Sequence, residues 1–497
     1  MRETHLVGID LGTSGVRTTA YNTRGVVVGS GEAPLEEQSQ EDWEEALRKA
    51  MPELPKGDKI CSVDGTSGTV ILADASGKVV FPPQMYYESA PEKAERVNEF
   101  ASAREIRDKG VSISATSPIP KILRLKEEEP GKFEEVKWIL SPTTWLLYRL
   151  KCGGEERWRE LETDWTNALK LGADITGRKP NWFEPLFRDA GISLDLLPEV
   201  EGPGTPMGSA GGELAEKLGL GGAELYQGLT DGNSSALAMG CLEPGDYGIS
   251  CGSTSVPKFV SEDIRPHEAL YYHKHPIRGY LAGAAIETGM ILKWICEKVL
   301  GVSQEKGLEL ARKVRGEEYG FFPQGDRSPF FDSRMGNTLT GIWPNQDLSK
   351  KEARGRLVRG IATGIAMEEY IYIPLLEEIF AVTIDRVNLL GGGAPSEEEP
   401  FSWWNELRAS IWNKKTIEME PRTTVGSLIP AALSSSLFSD ASEASKNLLK
   451  EEGEIKRDKE MTDSYKEERD EFFDLWKEIK TLYDGRNRGQ ERHGGFE

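Results

Sequence analysis

Short apolar blocks separated by small-residue turns open the chain. Residues 6–10, 16–22 and 26–31 predict three strands, with tight turns at 12–15 and at Arg24-Gly25. Residues 42–51 place Trp43, Ala46, Leu47 and Ala50 on one helical face. Strands are predicted again at 59–64 and 69–73, which gives a βββαβ order. Helical periodicity dominates from 91 to about 150, with charged faces around 126–129. Residues 181–200 read as helix mixed with loop, and 201–212 as a Gly/Pro-rich connection.

The strand pattern then recurs. Strands are predicted at 246–251, 256–261 and 280–285, and a helix at 288–300. A long helix at 357–380, a strand at 386–390 and a helix beginning near Pro400 follow. The two halves repeat the order of elements without repeating the sequence, so the boundary is expected near Pro244. Beyond about 440 the chain is helical and dense in charge, and 485–497 is expected to fray.

Composition narrows the class. A chain of 497 residues exceeds one core and predicts two or three domains. Hydrophobic content is 38%, and no apolar run is long enough to span a bilayer. The N-terminus enters a strand directly, without a charged and then apolar leader, which argues against secretion. Cys61, Cys152, Cys241, Cys251 and Cys296 are dispersed, with no CxxC pair, as reduced thiols of a cytoplasmic protein would be. A net charge of −21 argues against nucleic acid as a partner, and requires any polyphosphate to be held by local dipoles, a few cations and Mg²⁺. The abundance of Glu and Lys is a compositional sign shared with heat-adapted proteins.

Four turns carry candidate chemistry. The first, Asp10-Leu11-Gly12-Thr13-Ser14-Gly15, offers a carboxylate for water-mediated Mg²⁺ contact, and hydroxyls and N–H groups for phosphate oxygens, with Arg17 as a nearby cation. An ordinary Gly/Ser hairpin turn is the alternative. The second, Thr230-Asp231-Gly232, sets a carboxylate at a predicted helix N-terminus, placed to take a proton from a hydroxyl. A plain helix N-cap is the alternative there. The third, Ser250 through Ser255, repeats the composition of the first. The fourth, Leu389-Leu390-Gly391-Gly392-Gly393-Ala394, could let backbone lie against a purine ring, or form a flexible turn. Together the turns predict an ATP site in a cleft between two related domains. No GxxxxGK[ST] occurs, which excludes a P-loop, and no GxGxxG follows a strand as a dinucleotide fold requires. His273 and His275 alternate on a predicted strand with no ligand cluster beside them. Gly360 and Gly364 sit one helical turn apart, as close helix packing requires.

Five stretches in order resemble the FGGY carbohydrate kinases, within the actin/hexokinase/Hsp70-like ATPases, from about His5 to about Phe438. LVGIDLGTSGVRTTAYN resembles the family's first phosphate motif, and GLTDGNSSALAMGCLEPGDYGISCGSTS its second, with Asp231 at the place of the catalytic base. FFPQGDRSPFFDSRMGNTLTGI is similar to the GERxPxxDxxxRG segment, VNLLGGGAPSEEEPFSWW to the adenosine motif and VGSLIPAAL to the closing AxGAAxxA helix. The resemblance implies an α/β fold of two ribonuclease-H-like domains with an interdomain cleft, in keeping with the βββαβ start. It implies a sugar-binding domain at 1–243, an ATP-binding domain at 244–440 and a charged helical extension at 441–497 packed on the second domain.

The implied reaction is transfer of the ATP γ-phosphoryl group to a terminal hydroxyl of a pentulose. Asp231 would be the base, and Asp10 and Asp231 would hold Mg²⁺. Gly12, Thr13, Ser14, Arg17, Gly252, Ser253, Gly392, Gly393 and Ser396 would meet the nucleotide. Asp10, Thr66, Ser67, Glu88 and Asp231 would meet the sugar. Where D-xylulose kinases carry Gln-Met-His, this chain reads Asp64-Gly65-Thr66-Ser67-Gly68-Thr69, one residue shorter. The Arg-Glu pair of glycerol kinases is also missing, and MYYESAPEK replaces a WxDxR pattern. DGTSGTVIL, MYYESAP, LETDWTNALKLG and LPEVEGPGTPMG look most similar to the D-ribulose kinases of the cyanobacterial and plant-plastid type. D-xylulose, L-ribulose or another small polyol or ketose stay open, as do a non-catalytic sugar sensor and an ATP-driven conformational ATPase. The implied partner is a small-molecule sugar, without nucleic acid or membrane, and a homodimer stays open.

Overall fold

The computed structural model describes residues 3–152, 158–315, 319–391, 399–422 and 424–491. Its internal contacts divide it into two units. The first joins Met1–Glu243, Tyr272–Tyr280 and Arg422–Lys450; the second joins Pro244–Tyr271, Leu281–Pro421 and Glu451–Glu497.

In the first unit the opening strands are Thr4–Leu11, Gly15–Asn22 and Val27–Pro34, followed by the helix Gln40–Ala50 and the strand Asp58–Gly65. Ser39 caps that helix by accepting from the Asp42 N–H at 3.2 Å, and Trp43, Ala46, Leu47 and Ala50 are its buried face. Across the sheet the order is Pro206–Ser209, Glu224–Tyr226, Asp58–Gly65, Thr4–Leu11, Gly15–Asn22 and Val27–Pro34, with Leu229–Thr230 continuing beside Asp58–Gly65. Thr4–Leu11 lies parallel to Asp58–Gly65 and antiparallel to Gly15–Asn22. Its alternate residues serve two cores. Val7, Ile9 and Leu11 join Trp43, Leu47 and Trp145 on one face, while Leu6 joins Leu237, Leu428 and Ile429 on the other. Burial on both faces explains why the strand reads as a continuous apolar run.

The second unit repeats the plan. Its sheet runs Tyr280–Gly283, Thr254–Ser261, Tyr247–Cys251, Arg386–Gly391, Lys415–Met419 and Glu451–Glu454. As in the first sheet, a hairpin strand is followed by two parallel neighbours and an antiparallel edge. The duplication inferred from pattern is therefore visible in strand order.

Several elements differ from the expectation. The chain from Arg422 to Lys450 belongs with the first unit, not with the span to 440 expected of the second, because Val425, Leu428, Ile429 and Leu448 complete the core around Leu6, Tyr21 and Ile60. The extension expected at 441–497 is likewise split: Ala441–Leu448 serves the first unit, and Glu451–Glu454 is a sheet strand of the second. The closing helix Lys466–Glu491 runs through most of the segment expected to fray, and 492–497 lie outside the described residues. The long helix expected at 357–380 is two, Lys351–Tyr370 and Tyr372–Phe380. Pro374 accounts for the break, since it has no N–H and its ring would meet the Tyr370 carbonyl one turn earlier. Gly360 and Gly364 let the first of these helices lie on the backbone of Tyr319 and Phe321. Among the described residues no helix is long and apolar enough to cross a membrane.

Candidate functional site

Parallel register assembles the centre of the first unit. Asp10 pairs with Asp64 across adjacent strands, and Leu229 pairs with Asp64 on its other side. Asp231 follows two residues later as the first residue of the helix Asp231–Ala238. Three carboxyl groups thus gather at the carboxyl ends of neighbouring strands, where open α/β sheets bind their ligands.

Asp231 is not a capping residue. Thr230 holds the N-cap position, and Asp231 Oδ1 accepts from the adjacent Gly232 N–H at 2.7 Å. Burial raises the Asp231 carboxyl to about 6, and Asp10 pushes in the same direction. N–H groups of Gly232 and Ser67 and the charge of Lys170 oppose that rise. The strand end before it is stiff: the Thr230 N–H donates to Thr166 Oγ1 at 2.9 Å, and Asn233 Nδ2 donates to Thr230 Oγ1 at 2.7 Å.

Asp64 is the member that sequence reasoning did not select. It is buried, and burial followed by the charge of Asp10 raises its carboxyl well above the usual carboxylate range. Ser234 Oγ donates to Asp64 Oδ2 at 3.1 Å, and the hydroxyls of Ser427 and Ser234 oppose the rise. Burial raises Asp10 too, against Arg17 and a hydrogen bond shared with Asp64. A signal for Asp64 does exist in the chain. The strand-ending Asp64-Gly65-Thr66-Ser67-Gly68 is a near copy of Asp10-Leu11-Gly12-Thr13-Ser14-Gly15.

The first turn is closed by the Gly12 N–H donating to Gly15 O at 3.0 Å, so that amide is engaged within the turn. Ser14 is exposed and Thr13 half-buried. Register sets Arg17 opposite Asp10, and its Nη1 lies 3.2 Å from Asp10 Oδ2. Thr66 is buried, with its hydroxyl donating to Thr69 Oγ1 at 2.8 Å. Ser67 Oγ and Glu88 Oε2, by contrast, are buried atoms with no hydrogen-bond partner among the described residues.

The matching turn of the second unit joins Tyr247–Cys251 to Thr254–Ser261. Gly252 and Ser253 at its tip are exposed. From behind, the Thr288 and Met290 N–H groups donate to Ser253 O at 3.3 and 3.1 Å. A side chain at Gly289 would strike Gly252 O, and one at Gly391 would strike Cys251 O, so both glycines permit close backbone approach. Below the turn, Ser255 Oγ donates to Glu369 Oε1 at 2.7 Å and pairs with Thr288 Oγ1 at 2.8 Å. Glu369 is itself held by Arg408 through contacts of 2.9 and 3.1 Å, and both side chains are buried. Gly392, Gly393 and Ser396, expected to meet the nucleotide, lie outside the described residues.

His275 is a structural residue. Its Nε2 donates to Cys241 O at 2.9 Å while Nδ1 accepts from Ile277 and Arg278, and burial lowers its pKa to about 4. His273 Nδ1 lies 3.1 Å from Asn233 Nδ2. Among the described residues no group of three or more His, Cys, Asp or Glu is arranged to hold a metal ion. The carboxylate oxygens of Asp10 and Asp231 nevertheless suit Mg²⁺, a hard ion that keeps most of its waters and takes one or two carboxylates beside a phosphate.

Residues 58–238 match the N-terminal domain of the FGGY family of carbohydrate kinases. A xylulose kinase of Bacillus subtilis is 25% identical over 511 residues, covering 96% of this chain and 97% of that one. The solved structure of a xylulose kinase from Rhodospirillum rubrum superposes with a TM-score of 0.80 at 20% identity, covering 97% of this chain and 100% of that one. That of Plasmodium falciparum glycerol kinase with ADP superposes at 0.79 with 17% identity, covering 95% and 98%.

Proposed function

We propose that the chain is a carbohydrate kinase of the FGGY family, as the match of residues 58–238 to that family's N-terminal domain and the relatives named xylulose kinase support, and that it transfers the γ-phosphoryl group of ATP to a terminal hydroxyl of a pentulose. One observation carries this reading: the Asp231 carboxyl stands at a strand end beside Asp10 and Asp64, with its pKa raised to about 6. A base near the working pH is best matched to taking a proton from a hydroxyl. Asp231 takes that proton as the sugar oxygen attacks the γ-phosphorus. The bond from phosphorus to the β–γ bridging oxygen breaks, and ADP leaves with the electron pair. Such transfer depends on position and charge more than on covalent chemistry. Asp10 and Asp231 would hold Mg²⁺, which when bound neutralises charge on the phosphates. Thr13 and Ser14 in the first unit, and Gly252 and Ser253 in the second, each belong to a turn suited to phosphate oxygens.

Ser67 and Glu88 are assigned to the sugar, because each carries a buried oxygen without a partner among the described residues, which a sugar hydroxyl would satisfy. Two pentuloses stand first. The relatives named xylulose kinase favour D-xylulose. The loop at 64–69 lacks Gln-Met-His, and the resemblance of DGTSGTVIL and MYYESAP to D-ribulose kinases favours D-ribulose. ADP release measured with D-ribulose, L-ribulose, D-xylulose, L-xylulose, glycerol and erythritol tests the reading. Release that depends on one pentulose supports it. Equal release without sugar would indicate a conformational ATPase, and tight sugar binding without turnover a sensor; either result rejects it.

A further inference from the structure

Lys121 is fully buried, yet the chemistry outlined above makes no use of it. It lies on the helix Pro118–Glu128 and directs its ammonium at the backbone of two separate loops. Nζ donates to Gly68 O at 3.0 Å, to Met85 O at 2.8 Å and to Gln84 O at 3.4 Å. Three donors on one compact head meet three carbonyls, a geometry that suits an ammonium and not a planar guanidinium. Burial pulls its pKa down to about 8, and the nearby Glu88 charge acts against that fall. One turn along the same helix, Arg124 donates to Gln84 Oε1 at 2.6 Å and to Ser89 O at 3.1 Å.

The two loops so joined are those that carry Ser67 and Glu88. Beyond Lys121, the Tyr86 N–H donates to Thr69 Oγ1 at 3.2 Å, and Val70 bridges Gln84. The Ser67 N–H in turn faces the Asp231 carboxyl closely enough to lower its pKa. A continuous path therefore runs from Asp231 through Ser67 and Gly68 to Lys121, and on through Met85 to Glu88.

We propose that Lys121 is a positioning residue for acceptor-sugar recognition: it locks the loop bearing Ser67 to the loop bearing Glu88, so that both oxygens face one hydroxyl-bearing acceptor in register with Asp231. This rests on the sugar-kinase reading above. Lys121 touches neither sugar nor phosphate, so its effect is expressed in sugar affinity. A displacement of this kind far from the reacting atoms commonly costs about ten- to a hundredfold.

The test compares the unsubstituted enzyme with Lys121→Met, Lys121→Arg and Arg124→Met, in steady-state kinetics on the accepted sugar and on ATP. Lys121→Met is expected to raise the sugar KM about tenfold or more, with the ATP KM and sugar-independent ATP hydrolysis within about twofold. Lys121→Arg, which keeps the charge and changes the geometry, should raise the sugar KM as well. Arg124 is only partly buried, and its variant keeps the fold testable if the Lys121 variants do not accumulate; it should raise the sugar KM by a smaller factor. A sugar KM unchanged in Arg124→Met and in whichever Lys121 variant folds overturns the proposal. So does an equal rise in the KM for both substrates. An unsubstituted enzyme that phosphorylates no sugar would instead reject the underlying reading.

Discussion

Ser234 donates a 3.1 Å hydrogen bond to Asp64, and so ties the helix that opens with Asp231 to the strand that ends beside Asp10. One short contact thereby holds the proposed base in register with the carboxyl pair next to it.

Asp231→Asn should lower kcat by at least ~10²-fold with ATP binding nearly unchanged, since the amide keeps the shape and cannot accept the proton. Steady-state turnover beside nucleotide titration checks this. Turnover comparable to the unsubstituted enzyme would remove Asp231 from the role of base.

The pH dependence of rate and of stability should run in opposite directions at Asp231. The base works ionised, so kcat/KM should rise with pH through about 6 and level off above it. For stability, the folded pKa lies above the ordinary 3.8. The folded chain then holds the extra proton between those values. This contribution to stability is complete below 3.8 and is lost as pH rises through about 6. Asp231→Asn has no such loss and should be more stable than the unsubstituted enzyme at pH 8, by on the order of 1–3 kcal/mol, with a smaller difference at pH 5. Thermal melts of both proteins at the two pH values decide it.

Gly289→Ala should act on nucleotide use rather than on the sugar. Its methyl would strike Gly252 O at the exposed turn of the second unit, and backbone there must move to admit it. A loss of about tenfold or more in kcat/KM for ATP is expected, with the sugar KM within about twofold. Equal effects on both substrates would separate this turn from the phosphates.

Arg408→Met should be strongly destabilising. It leaves Glu369 buried and without its guanidinium, a loss of about 3–5 kcal/mol for a broken buried pair. Denaturant unfolding measures it, and a loss below ~1 kcal/mol would show that Ser255 and solvent suffice to hold Glu369.

Much of this protein is written in local pattern. The apolar run that ends at Asp10, the apolar face of Trp43, Ala46, Leu47 and Ala50, and the glycine turns at 12–15 and 252–253 follow from residue size, periodicity and backbone freedom within a few positions. The resemblance to a sugar-kinase family lies in those same short stretches, so Asp10, Asp231, Ser67 and Glu88 could be selected before any coordinates. Tertiary structure decided the rest. Asp64 became part of the carboxyl group through parallel register with Asp10, and Lys121 became a clasp through carbonyls 36 to 53 positions earlier in the chain. Arg422–Lys450 returned to the first unit because its apolar face completes a core begun at Leu6. In each case the partner is distant in sequence, and the deciding energy is that of burying groups whose neighbours exist only once the strands have paired.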